Sequence, residues 1–284
     1  MRILITGAHG MLGRELAVRL DGKHTLWLGD IDELDICNEN AVTSTINDFK
    51  PDAVINCAAF TNVDACETAS SEAFRVNAEG VKNLAIACRA SGALLCHIST
   101  DYVFGGASER PYTEDDPPHP LSVYGASKLA GETFIRTIAP RHLIVRTSWL
   151  FGVYGNNFIE TILKLAQTRD EVSVVNDQTG CPTYAADLAA VLDALLTIQA
   201  PWGTYHVCNA GSCTWYEFAL EVLACAGRTT RVVPITAQEF GRSAPRPRFS
   251  VMDTSKVSAT TGMTLRHWKA AVTAYFHQRE GVRA

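Results

Sequence analysis

The 284-residue sequence predicts an α/β protein: a Rossmann-type, doubly wound parallel sheet with a smaller C-terminal, substrate-binding lobe. Three observations predict it. A short aliphatic strand at the N-terminus runs straight into a glycine turn and a helix. Strand and helix patterns then alternate to about residue 150. Beyond that point the rhythm loosens into shorter, unequal segments. Strands that alternate with helices imply right-handed crossovers and parallel pairing. We therefore assign residues 1–150 to a dinucleotide-binding domain and 151–284 mainly to the substrate lobe, with some later segments returning to the sheet.

Composition narrows the class of function. Hydrophobic residues make up 47% of the chain, enough for a large core, and the net charge is −5. A nucleic-acid partner needs clustered Lys and Arg, which this balance does not supply. No run approaches the ~18 apolar residues of a membrane span, and Met1–Gly7 lacks the pattern of a secretory signal. The nine cysteines are odd in number, scattered and often inside apolar runs, which predicts reduced thiols in a cytoplasmic protein. Neither they nor the dispersed histidines have zinc-site spacing, so no metal site is expected from the residues.

Arg2–Thr6 is the first strand, and Gly7, Gly10 and Gly13 follow it at once. In a dinucleotide-binding turn Gly7 permits the tight bend and Gly10 lets backbone approach a pyrophosphate. Gly13 allows helix and strand to pack closely, with the helix N-terminus facing the anion. Residues 14–20 continue as helix. The second strand, 24–29, ends at Asp30, placed to accept hydrogen bonds from an adenosine ribose, which favours NAD over NADP. Asp35 and Ile36 are placed to flank the adenine. Residues 52–59 read as a buried strand leading to Phe60 and Thr61, with small residues where a cofactor would pass. A long helix is expected over 71–90, with Asn77 as a polar residue among apolar ones. The strand 94–99 ends at Ser99 and Thr100, where a hydroxyl is placed either to bind a substrate carbonyl or simply to cap the strand.

Residues 105–120 hold two glycines, four prolines and four acids and predict an irregular loop. The helix after it carries the pair around which the chain is organised. Ser122 is a reasonable N-cap, and Tyr124 and Lys128 are four residues apart, on one face. A phenol ionises near pH 10. A cation beside it lowers that value, so Lys128 would make Tyr124 a usable general acid. A strand over 142–149 ends at Trp149, a flat ring suited to a sugar face or to core packing. Further on come a helix over 156–167, a strand over 171–176, an apolar helix over 184–198 and a strand over 205–209. A capping box at Thr214 and Glu217 starts another helix. Asp253 is expected to cap a final one. Arg246 and Arg248 are candidates for a substrate diphosphate, because guanidinium binds such groups in a bidentate fork. Exposed loop arginines are the alternative.

Together, the glycine turn, Thr100 and Tyr124-x-x-x-Lys128 resemble the extended short-chain dehydrogenase/reductases. Further strings narrow the likeness: Ser99-Thr-Asp-Tyr-Val-Phe, Tyr124-Gly-Ala-Ser-Lys-Leu-Ala-Gly-Glu, Arg146-Thr-Ser-Trp, Gly155-Asn-Asn-Phe, Asn176-Asp-Gln-Thr-Gly-Cys-Pro-Thr and Arg246-Pro-Arg-Phe. In this order they resemble the dTDP-4-dehydrorhamnose reductase family over nearly the whole chain. The resemblance implies a catalytic trio of Thr100, Tyr124 and Lys128. It implies a cofactor, NADPH or NADH, lined by Gly7, Gly10, Met11, Leu12, Gly13, Asp30, Asp35, Ile36, Ala59, Phe60, Thr61, Tyr124 and Lys128. Thr100, Val103, Trp149, Asn157 and Arg246 would meet a nucleotide-sugar. Some family members form magnesium-dependent dimers, so Mg2+ and a homodimer are implied in the same way. Phe60 and Thr179 depart from the family's usual His or Tyr and Tyr, and Cys181 replaces a small residue.

The expected reaction is hydride transfer to C4 of a 4-keto-6-deoxyhexose nucleotide, with Tyr124 as proton donor. The related alternatives are another nucleotide-sugar 4-ketoreductase, an epimerase or a dehydratase. A dehydratase-like acid pair would need Glu after Asp101, where Tyr102 stands. A non-catalytic subunit on the same fold would be expected to lose Tyr124 or Lys128, and both are present.

Overall fold

A computed structural model describes residues 1–283. Its centre is a six-stranded sheet built from β1 (Arg2–Thr6), β2 (Thr25–Gly29), β3 (Ala53–Asn56), β4 (Leu94–Thr100), β5 (His142–Thr147) and the strand Gly203–His206. The order across the sheet is Gly203–His206, β5, β4, β3, β1, β2, and every pairing is parallel. Ile3, Leu4, Ile5, Val54, Ile55, Ile144 and Val145 are fully buried, as expected of strands covered on both faces. One face packs on the helices Met11–Leu20 and Ala185–Thr197, through Leu12, Leu16, Leu188 and Leu192. The other packs on Glu39–Phe49, Val81–Ser91 and Val123–Ile138, through Val42, Leu84 and Ile135. The chain after β1 turns one way to β2 and then crosses to β3. In open α/β sheets ligands bind where the order reverses in this manner, at the carboxyl ends of the strands.

The smaller lobe has its own aromatic core. Phe151, Phe218, Trp268 and Tyr275 pack with Ile159, Val174 and Val222. Its helix Trp215–Cys225 starts at the expected capping box, in which the Thr214 hydroxyl accepts from Glu217 N and the Glu217 carboxylate accepts from Thr214 N.

Several elements differ from the sequence reading. The strands expected over 52–59 and 205–209 are Ala53–Asn56 and Gly203–His206, and the helix expected over 156–167 is Phe158–Leu165. Three further differences concern the architecture. The helix expected over 71–90 is split into Ser70–Phe74, a π-helical turn Arg75–Gly80 and Val81–Ser91. Asn77 stands in that turn, buried, and its carboxamide binds the Phe60 backbone, the buried hydrogen-bonding role expected of a polar residue among apolar ones. β5 stops at Thr147, because Trp149 takes a left-handed backbone with φ 45°. Asp253 accepts from Ser255 N ahead of the helix Ser255–Thr261, but Thr254 is the N-cap and a further helix, Trp268–Arg283, closes the chain.

Candidate active site

Strand ends, the glycine turn and the Val123–Ile138 helix surround one cleft of about 800 Å³. Gly7 has φ +64°, and a Cβ there would sit 2.6 Å from Ala58 N, so only glycine lets the turn press against the end of β3. A Cβ on Gly13 would lie 2.3 Å from Gly7 O. Gly10 is different, since its added Cβ would meet only Gly7 O, at 3.2 Å, which keeps backbone accessible from the cleft. Gly10 is also the N-cap of the Met11–Leu20 helix. No side chain caps it and the first turn carries no acid, so its N–H groups and dipole suit a phosphate. The Asp30 carboxylate accepts from His9 N at 2.9 Å and from Ile31 N at 2.9 Å, fixing the turn to the tip of β2. Asp35 accepts from Cys37 N and lies 3.6 Å from Arg75.

The opposite wall follows from the capping of the Tyr124 helix. The Ser122 hydroxyl accepts from Gly125 N at 3.2 Å, and Glu67 accepts from Val123 N at 2.9 Å. Asn77 ties this helix to the cofactor side. Its Oδ1 accepts from Phe60 N, while its Nδ2 donates to Phe60 O and to Ser127 Oγ, all at 2.9–3.0 Å. Phe60 thus needs no side-chain donor for its backbone to be held. Behind the helix, Glu132 receives Arg146 in a bidentate pair at 2.9 and 2.7 Å, Ser99 at 2.6 Å and Arg136 at 2.6 Å. Glu132 and Arg146 are both buried. A paired buried charge of this kind is strongly destabilising to break, so it locks the helix onto β4 and β5.

Thr100, Tyr124 and Lys128 come together in the cleft. Thr100 acts on the Tyr124 phenol, accepts from Tyr102 N and donates to Asp101. Burial raises the Tyr124 phenol above its ordinary value, Thr100 pulls it down, and Asp101 pushes it up again. Burial also pushes the Asp101 carboxyl up to about 7. Lys128 stands one helical turn beyond Tyr124 on the same helix. Its ammonium nitrogen is turned away to Ile98 O at 2.7 Å and His97 Nε2 at 3.2 Å. Burial holds Lys128 itself down to about 8.

All the residues expected to line the cofactor, from Gly7 to Lys128, are on the cleft wall. The substrate set divides. Thr100 and Trp149 are on the wall. Val103 is fully buried in the core seam with Phe104 and Cys181. Asn157 caps the helix Phe158–Leu165, accepting from Glu160 N and donating to Gly152 O. Arg246 is spent on Asp64, at 2.9 and 3.2 Å. These three are not on the cleft wall, and each has a structural duty. What the sequence reading missed is Trp215, which stacks on Trp149 with ring centroids 3.5 Å apart and planes 9° from parallel. Its capping box was legible, and the aromatic at the first position of that helix was the available signal. Gly180 makes room, since a Cβ there would lie 2.6 Å from the Trp149 ring. Among the described residues no group of three or more His, Cys, Asp or Glu is arranged to hold a metal ion.

A Tyr–Lys pair beside a glycine cradle at the strand ends defines a short-chain dehydrogenase/reductase-type site. The comparisons with known proteins agree. Residues 1–280 match the family model described as "RmlD substrate binding domain". A dTDP-4-dehydrorhamnose reductase from Streptomyces griseus is 46% identical over 283 residues, covering 97% of this chain and 93% of that protein. The solved dTDP-4-dehydrorhamnose reductase of Clostridium acetobutylicum is 44% identical, with TM-score 0.96, over 99% of this chain and 100% of the other. The Bacillus anthracis enzyme, solved in complex with NADP, is 40% identical with TM-score 0.95, over 98% and 99%. The chain belongs to the dTDP-4-dehydrorhamnose reductase family.

Proposed function

We propose that this protein reduces dTDP-4-dehydro-L-rhamnose to dTDP-L-rhamnose, with NADPH or NADH as the reductant, in the supply of rhamnose for surface polysaccharide. The observation that carries this reading is one cleft lined both by a phosphate-ready helix N-terminus at Gly10 and by Thr100, Tyr124 and Lys128. The residues present fit a nicotinamide dinucleotide: the open face of Gly10 for the pyrophosphate, Asp30 for the adenosine ribose, and Asp35 and Ile36 beside the adenine. When bound, that group supplies the hydride that reduces C4 of the keto-sugar.

The chain's own part is binding, orientation and proton delivery. Thr100 holds the carbonyl oxygen by a hydrogen bond. Tyr124 gives that oxygen its proton as negative charge develops. Lys128 serves the ribose hydroxyls and compensates the phenolate left on Tyr124. The tryptophan pair forms the sugar-side wall. Residues 1–150 thus serve mainly the cofactor and 151–284 mainly the substrate. Among the described residues no helix is long and apolar enough to cross a membrane, in keeping with a small nucleotide-sugar substrate and a cytoplasmic site of action.

The test is absorbance at the reduced-nicotinamide band with purified protein and enzymatically prepared dTDP-4-keto-L-rhamnose, NADPH and NADH run in parallel. Loss of the band that depends on the keto-sugar is expected. No loss with either cofactor, although cofactor binds, would overturn the reading, and other 4-keto-6-deoxy sugars in the same assay would then identify the substrate.

A further inference from the structure

Among the described residues three buried side-chain oxygens have no hydrogen-bond partner: Asp101 Oδ2, Thr147 Oγ1 and Thr183 Oγ1. Only the first belongs to an ionisable group, and the mechanism above does not use it. Asp101 is 2% exposed, in the short helical turn Asp101–Val103 that follows β4. It lines the cleft together with Thr100 and Tyr124. A buried carboxylate oxygen left without a donor costs more than the same oxygen in an uncharged acid. The orphaned Oδ2 therefore favours the acid.

The hydrogen bonds of Thr100 lead to the same place by count. A hydroxyl has one donor hydrogen and two acceptor lone pairs. Thr100 Oγ1 accepts from Tyr102 N at 3.2 Å and donates to Asp101 Oδ1 at 3.1 Å. That donation spends its one hydrogen. A keto oxygen held by Thr100 needs the same hydrogen, because a carbonyl only accepts. Both demands are met when the proton shared by the two side chains comes from Asp101. Thr100 then accepts from Tyr102 N and from the carboxyl O–H, and its own hydrogen turns to the substrate.

We propose that Asp101 is the positioning residue for Thr100: as an uncharged acid it donates to the Thr100 hydroxyl and so aims that hydroxyl's hydrogen at the keto oxygen. This deepens the proposed reduction and rests on it. Ionisation of Asp101 takes the Thr100 hydrogen back, so kcat/KM falls as pH rises through the carboxyl's value. Burial pushes that value up to about 7, against the pull of Ser250, Thr100 and nearby backbone. The Ser250 hydroxyl acts on the carboxyl without completing a bond to Oδ2. The titratable groups facing it are Tyr102 beside it, Tyr124 on the Val123–Ile138 helix and Cys208 beyond the strand Gly203–His206. All three are held above their ordinary values and stay uncharged where Asp101 titrates. Of the cations around them, Arg246 acts on Tyr102 and is paired with Asp64, and Lys128 donates to Ile98 O.

Three variants test this. Asp101→Asn presents an amide N–H to Thr100 at every pH, whereas Asp101→Ala presents nothing. Asp101→Ala should lower kcat/KM about tenfold. Asp101→Asn should recover most of that loss and lack the alkaline limb that the wild type shows near 7. Ser250→Ala removes a group that lowers the carboxyl's value, so its limb should move up by about half a unit. The readout without substrate is the infrared band of a protonated carboxyl, assigned by its loss in Asp101→Asn. In the wild type it should be present about one unit below the carboxyl's value and gone about one unit above it. A carboxyl already ionised at the lower pH overturns the proposal. So does a limb that persists in Asp101→Asn or stays in place in Ser250→Ala. Equal loss in Asp101→Asn and Asp101→Ala at every pH means a structural role only and also overturns it. If Asp101→Asn does not fold, Ser250→Ala still moves both the limb and the infrared titration. Absence of any keto-sugar reduction by the wild type would instead defeat the proposed function, and the infrared titration would still decide whether Asp101 is an uncharged acid.

Discussion

The two halves of the cleft are built differently. The half proposed for the cofactor is made of backbone: a glycine turn, a helix N-terminus and strand ends whose places follow from sheet order. The half proposed for the substrate is made of side chains from segments far apart in sequence, Thr100, Trp149 and Trp215 among them. A backbone site is tied to local sequence because turn and strand end are consecutive. A side-chain wall depends on how distant segments pack. Val103, Asn157 and Arg246 show the consequence, since each lies near the wall in sequence and is spent on core, cap or ion pair.

Four substitutions break or sharpen this contrast. Tyr124→Phe acts where the halves meet and should have the largest effect, lowering kcat about 10²–10⁴-fold. Dinucleotide affinity by fluorescence titration should change little; comparable turnover in this variant would remove Tyr124 as proton donor. Gly13→Val belongs to the cofactor half alone. Its Cβ would lie 2.3 Å from Gly7 O, and overpacking of about 1–3 kcal/mol should weaken dinucleotide binding roughly 5- to 150-fold. Sugar KM should be nearly unaltered when cofactor saturates. Trp149→Ala is the mirror case, raising KM for the sugar nucleotide about tenfold by loss of aromatic contact and sparing cofactor affinity. Equal damage to both affinities would dissolve the division between the halves.

Arg246→Ala should do least. If this guanidinium is committed to Asp64, KM rises less than about threefold, and stability by urea titration falls by no more than about 1 kcal/mol. The pH dependence carries a definite sign. Arg246 holds the Asp64 carboxyl well below its usual range, by hydrogen bond first. The contribution is therefore complete above the ordinary carboxyl value of about 4 and is lost as pH falls through the lower folded value. Wild type and variant should differ at neutral pH and converge in strong acid. A KM rise of tenfold or more would return Arg246 to the substrate diphosphate.

Most of the sheet was legible because buried parallel strands are unbroken apolar runs and the turns between them carry glycine, proline and acids. β1 matches its reading residue for residue, and Ser122 and Thr214 cap the helices they were expected to cap. The π-helical turn at Asn77 was not legible, because its reason is a carboxamide reaching Phe60 across space. Nor was the stacking of Trp149 on Trp215, which needs the left-handed backbone at Trp149 and the bare Gly180. Lys128 shows a subtler limit. Its spacing from Tyr124 correctly places both in the cleft, but spacing does not tell that its nitrogen turns to Ile98 and His97.

The central claim is that the cofactor half passes a hydride to C4 of a sugar held by the substrate half. The most direct measurement uses reduced dinucleotide deuterated at C4 of the nicotinamide, with proton and mass spectra of the sugar product. The account predicts one deuterium at C4 of the deoxyhexose and stoichiometric oxidised cofactor. Sugar product without deuterium at C4, or product formed with no net cofactor oxidation, would contradict it and point to an epimerase- or dehydratase-type cycle.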